Sequence, residues 1–259
     1  MPESNRWILP TPEPDPDCRA RLYCFPHAGG ASGTYAGWTA DLRPEFDARP
    51  VVLPGRDTRP DEPVPADMST LADAAADGLA EHMQTGPALP YALFGHSLGA
   101  ITAYETARRL SARGRPPALL IVSGSEAPWR TGERARDRHR WPDDEFLAEI
   151  ARLGGSAAAG PEETELLRAI LPRLRADYTI AETYTHVPGA PLTCPIAVYA
   201  GQEDDLVAEA RLPEWARVAP PTSTPVVRRF PGGHFHLDDA RPFVLRALRT
   251  DLAKALEGG

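Results

Sequence analysis

A chain of 259 residues is long enough to bury about three quarters of the surface its unfolded form exposes, so one substantial core is expected, with room for an insertion. A hydrophobic share of 42% and a charged share of 25% exclude disordered and collagen-like chains, and no apolar run approaches the ~20 residues of a membrane span. The net charge of −8 argues against general binding to nucleic acid or to anionic membrane surfaces, so an anionic partner would need a local basic patch.

The first seventeen residues are rich in proline and acids and lack the basic start and apolar stretch of a secretory signal; they are expected to form an extended, exposed lead-in. Cys18, Cys24 and Cys194 are odd in number, scattered and without metal-type spacing, which fits a reducing cytoplasm with neither a disulfide framework nor a metal site. From there apolar runs of about five residues alternate with helical patterns. The runs are 21–25, 49–53, 91–94, 119–123, 196–200 and 226–230. Helical periodicity is clearest at 69–83, 100–112 and 242–256, with Ser69 suited to cap the first and Gly114 to stop the second. This βα order predicts a mostly parallel sheet with helices on its faces.

Between about residues 126 and 193 no strand pattern appears. Amphipathic helices are expected at 143–153, 161–174 and 177–183, the first two joined loosely through Gly154, Gly155 and Gly160. The division that follows is a core of residues 1–125 and 190–259, with 126–189 a helical lid inserted over one end of the sheet.

The sharpest local signal is Gly95-His96-Ser97-Leu98-Gly99, which follows one apolar run and opens a helical pattern. Strand, tight turn and helix form the context of a nucleophile elbow: the flanking glycines leave room where a Cβ would collide, and the helix N-terminus points N–H groups at the serine. A serine hydroxyl needs a general base, and in this order of elements acid and base follow the nucleophile on loops after later strands. His27, His82, His96, His139 and His186 come too early or fall in the insertion. His234 and His236 remain, and Pro231-Gly232-Gly233 delivers His234 first, leaving His236 near it or on the surface. Asp204 and Asp205, after run 196–200, are both candidate acids, with Asp204 preferred and Glu203 a distant third; the acid would fix the imidazole tautomer. Ala28, in Pro26-His27-Ala28-Gly29-Gly30, and Leu98 would supply the N–H groups of an oxyanion hole. Gly29, Gly30 and Gly33 do not make a dinucleotide fingerprint. Five arginines, Arg130, Arg134, Arg136, Arg138 and Arg140, stand against only Glu133 and Asp137 and mark a candidate docking patch.

These blocks, with Leu53-Pro54-Gly55-Arg56, Arg59, Glu62-Pro63, Leu174-Arg175-Ala176-Asp177 and Phe230 through Phe235, resemble the type II thioesterases of polyketide and nonribosomal peptide synthetases, over nearly the whole chain. The resemblance implies an α/β-hydrolase fold with a helical lid, and a Ser97, His234, aspartate triad. It implies removal of aberrant or stalled acyl and aminoacyl groups from the phosphopantetheine arm of acyl or peptidyl carrier proteins, with no separate cofactor because that arm belongs to the substrate. Leu98 stands where many relatives carry Met, which leaves its N–H unchanged. A small-molecule carboxylesterase or lipase would need the same triad, whereas a non-catalytic binding protein on this fold would be expected to lack one of its members.

Overall fold

The computed structural model describes residues 5–134, 137–153 and 161–257, with residues 132, 134 and 161–164 described by backbone only. Six strands, β1 (Ala20–Phe25), β2 (Phe46–Pro50), β3 (Tyr91–His96), β4 (Leu119–Ser123), β5 (Ile196–Gly201) and β6 (Val226–Phe230), form one sheet in the order β2-β1-β3-β4-β5-β6. Every pairing is parallel. The helices are α1 (Trp38–Leu42), α2 (Met68–His82), α3 (Leu98–Ala112), α4 (Asp143–Leu153), α5 (Pro161–Ala169), α6 (Leu171–Thr183), α7 (His236–Asp239) and α8 (Arg241–Glu257).

Successive strand residues point to opposite faces, and here both faces are covered. Tyr23, Leu93, Leu120, Val122 and Val198 pack with α2 and α3, while Leu22, Cys24, Phe94, Ile121 and Tyr199 pack with α1 and α8. Two-sided burial explains why the strands read as unbroken apolar runs. The chain leaves β1 for one edge, β2, and returns to the other side of β1 as β3, so the strand order reverses between β1 and β3. In open parallel sheets, ligands bind outside the carboxyl ends of the strands at such a switch point.

Four sequence expectations need correction. The second strand lies three residues earlier than the apolar run 49–53, because Asp47 and Arg49 sit inside it as a buried ion pair at 2.6 Å. Val51 instead bridges to Ile8 in the antiparallel sense. The lead-in is therefore not merely exposed: Ile8 is buried, and the Trp7 ring lies under the Arg59 guanidinium at 4.3 Å, against Gly78 of α2. Asp67, not Ser69, caps α2, accepting the Thr70 N–H at 2.8 Å. The pattern 161–174 is two helices, because Pro172 cannot continue a helix from α5 but fits the first turn of α6, which runs on through 177–183. Between β4 and β5 the described residues contain no strand. The three cysteines are buried free thiols; burial raises the pKa of each, that of Cys194 to about 12.

Candidate active site

Ser97 sits at the tip of the turn from β3 into α3 with φ 55° and ψ −119°, a conformation that residues other than glycine rarely adopt. The turn is locked by its neighbours. The Ser97 N–H donates to the Ser123 carbonyl of β4 at 2.8 Å, and the Ala100 N–H donates to the Ser97 carbonyl at 2.9 Å. A Cβ on Gly95 would stand 2.0 Å from the Gly99 carbonyl oxygen, and one on Gly99 would stand 2.3 Å from that of Phe25. Both glycines are thus required by backbone, which has no rotamer with which to retreat. Leu98 opens α3, so its N–H has no partner within the helix.

The loops after β5 and β6 are pressed together in the same way. A Cβ on Gly201 would meet the Gly233 carbonyl oxygen at 2.1 Å, and the Gln202 and Glu203 N–H groups donate to Phe230 and Gly232 carbonyls at 2.9 and 3.1 Å. This contact brings Asp204 Oδ2 to 2.9 Å from His234 Nδ1, with both side chains buried, while Asp204 Oδ1 accepts the Leu206 N–H at 2.9 Å. A carboxylate on Nδ1 holds the proton there and leaves Nε2 as the base. Asp205, the other candidate acid, is exposed and lines the cavity.

Behind His234 lies a polar group of which the sequence suggested only His236, as one of two alternatives. His236 is fully buried, not at the surface. Its Nδ1 lies 3.3 Å from the Gly233 carbonyl, and its Nε2 lies 3.2 Å from Ser123 Oγ, which in turn lies 3.1 Å from His96 Nδ1. The carbonyl can only accept, so Nδ1–H of His236 donates; the Ser123 hydroxyl then donates to His236 Nε2 and accepts from His96 Nδ1–H. This pattern suits both histidines as neutral imidazoles. Burial, then the neighbouring His234, His27 and His236, holds His96 well below the usual histidine range, and burial lowers His236 as well. The available signal was four histidines, His27, His96, His234 and His236, at the ends of three strands.

Ser97 and His234 line a cavity of about 800 Å³ together with Ala28 and Leu98. Its apolar wall includes Met68, Leu98, Ile101, Ala181, Tyr184 and Val207; the segment between β4 and β5 adds charged residues such as Arg130, Arg138 and Glu182. The proposed basic patch is not a free one. Arg130 donates to Glu214 at 2.9 Å and to Glu133 at 2.6 Å, and Arg138 pairs with Glu149 and Glu182 at 3.3 and 3.2 Å. Arg130 holds the Glu214 carboxyl down to about 2. Arg140 is exposed; Arg136 and the Arg134 side chain lie outside the described residues, as do Gly154, Gly155 and Gly160. Among the described residues no histidine, cysteine or acid cluster suited to a metal ion occurs, and no helix is long and apolar enough to cross a membrane.

The thioesterase domain family matches residues 20–252. Thioesterase PikA5 of Streptomyces venezuelae is 41% identical over 239 residues, covering 92% of this chain and 82% of its own. Among solved structures, the RedJ thioesterase of the prodiginine pathway in Streptomyces coelicolor superposes with a TM-score of 0.83 at 39% identity, covering 93% of this chain and 89% of that one. The type II thioesterase BorB of the borrelidin cluster gives 0.83 at 34% identity, covering 99% and 100%. Six parallel strands flanked by helices, with these neighbours, make the fold that of an α/β hydrolase.

Proposed function

The chain belongs to the thioesterase domain family, and from that premise we propose that it removes aberrant or stalled acyl and aminoacyl groups from the phosphopantetheine arm of carrier domains in polyketide or nonribosomal peptide synthesis. The observation that carries the reading is the Asp204–His234 pair at 2.9 Å facing the same cavity as a strained Ser97. Ser97 Oγ attacks the thioester carbonyl as its proton passes to His234 Nε2. The N–H groups of Ala28 and Leu98 receive the oxyanion. Collapse breaks the C–S bond, and His234 returns the proton to the sulfur. A thiol of pKa near ~8.5, by analogy with cysteine, needs less help to leave than an amine. Water then attacks the acyl-enzyme with His234 as base, releasing a carboxylic acid and restoring Ser97. No metal or diffusible cofactor enters these steps.

In this reading the helices of 126–189 act as the lid, and a carrier domain is the partner. Of the five arginines singled out, Arg140 is the described one left exposed for docking. The test is a panel of acyl-loaded carrier proteins followed by intact mass. Loss of the acyl mass with the arm retained is expected; turnover of free esters alone would replace the proposal with a carboxylesterase.

A further inference from the structure

The oxyanion loop after β1 is held by charges that lie outside it. Gly29 donates its N–H to Asp177 Oδ2 at 2.7 Å and accepts Arg173 Nη2 on its carbonyl at 2.8 Å. The Gly30 carbonyl accepts Arg56 Nη1 at 2.8 Å. Arg56 and Asp177 are themselves a buried bidentate pair, Nη2–Oδ1 at 2.6 Å and Nη1–Oδ2 at 2.9 Å, with side chains 0% and 1% exposed. Asp177 and Arg173 belong to α6, and Arg56 to the loop after β2. Gly29 has φ +73°, and a Cβ there would meet Leu174 Cδ1 of α6 at 2.6 Å, so the helix rests directly on the loop.

A buried ion pair is weak evidence for stability, since an apolar pair of the same volume does as well or better. What an apolar pair could not do is take the Gly29 N–H and the Gly30 carbonyl, while Arg173 takes the Gly29 carbonyl; apart from these the turn is closed by the Gly30 N–H on the His27 carbonyl at 2.9 Å. Asp177 fixes the peptide plane joining Ala28 to Gly29, and only the two backbone rotations at Ala28 separate that plane from the one that carries the Ala28 N–H. We propose that Asp177, with Arg56 and Arg173, is a positioning residue for the oxyanion hole, so that α6 of the inserted segment sets the catalytic geometry of the first loop. This rests on the hydrolytic role proposed for Ala28. It also makes α6 the anchored part of the insertion.

The experiment measures hydrolysis of a small chromogenic thioester, which needs no docking, and the binding of a boronic acid, which adds to Ser97 as a tetrahedral adduct. Asp177→Asn should lower kcat about 100-fold, the scale of an ångström's misplacement, with KM changed less than about twofold. Boronate affinity should fall in parallel, while affinity for a non-reactive thioether analogue holds. Arg173→Met leaves the Arg56–Asp177 pair intact on a partly exposed side chain; it should fold and lower kcat and boronate affinity together, more mildly. If Asp177→Asn does not fold, Arg173→Met carries the test. Parent-like kcat and boronate affinity in the folded variants, or a loss confined to KM, would overturn the positioning role. A parent protein that fails to turn over the thioester would instead sink the hydrolytic reading beneath it.

Discussion

The rim of the sheet and the helices between β4 and β5 face each other across one cavity and are held by different forces. At the rim, backbone abuts backbone: Gly95 on Gly99, Gly99 on Phe25, Gly201 on Gly233, all at distances that admit no Cβ. The inserted helices rest on arginine–carboxylate pairs, Arg138 with Glu149 and Glu182, Arg175 with Asp143, Arg168 with Asp144, beside an edge-to-face contact of Phe146 with Tyr178, while Ile180 joins the main core. Steric contacts between backbones fix atoms without regard to solvent. The Arg168 and Arg175 pairs are exposed, contribute about 0–1 kcal/mol each and are screened by salt. The nucleophile and its histidine thus lie on the sterically fixed side and the ion-paired helices opposite, with α6 as the bridge.

The largest expected effect tests the rigid side. Ser97→Ala should lower turnover by about a millionfold and His234→Ala comparably, because the triad acts as a unit; a serine variant retaining a tenth of the activity would remove the mechanism. Asp204→Asn should cost about 10⁴-fold and Asp205→Asn little, since only Asp204 reaches His234. The reverse ranking would mean that the loop after β5 rearranges on binding.

Gly99→Ala forces a Cβ to within 2.3 Å of the Phe25 carbonyl, and should destabilise by about 1–3 kcal/mol while displacing the Leu98 N–H. A fully active, parent-stable variant would show the elbow to be looser than its contacts imply.

Acid should act on the buried histidines before it acts on the ion pairs. Burial first of all lowers His27, His82, His96 and His236, His82 from 6.5 to about 4. A histidine depressed in the folded state binds more protons when unfolded, so its contribution is full above pH 6.5 and is lost as pH falls toward the folded value. The lowered carboxyls of Glu62, Asp67, Glu149 and Glu214 begin to matter only near their ordinary 3.8–4.5 and below. Thermal melts from pH 8 to 4 should decline from about pH 6.5, and His82→Gln should flatten that first stretch. A plateau down to pH 5 would contradict it.

The smallest effect concerns the insertion. In 1 M salt the screening length is about 3 Å, so amide exchange should quicken in α4 and leave α3 unchanged. Equal change in both helices would erase the contrast between the two sides.

Much of this was legible in the sequence. Strands buried on both faces announce themselves, and the glycine spacing around Ser97 is dictated by the turn. Strand β2 was displaced because two charges satisfy each other inside it, which a hydropathy pattern reads as exposure. The pairing of the docking arginines was hidden for the converse reason: Glu214, Glu149 and Glu182, which hold Arg130 and Arg138, lie on other elements or later turns, and pairing over such separations leaves no local trace. Asp177 did leave one. Leu174, Asp177 and Ile180 at three-residue spacing form the buried stripe of α6, and an acid on such a stripe must have a partner elsewhere.

The buried cysteines bear on how the enzyme lives with its own product. Each proposed turnover frees a pantetheine thiol, a group that exchanges with disulfides through its thiolate and would, on oxidation, form mixed disulfides with any accessible protein thiol. Cys18, Cys24 and Cys194 are shut away and held in the protonated form, so this route to self-inactivation is closed. The same silence makes a disulfide chromogen usable as a continuous readout, because the colour that develops with native protein comes from the released arm.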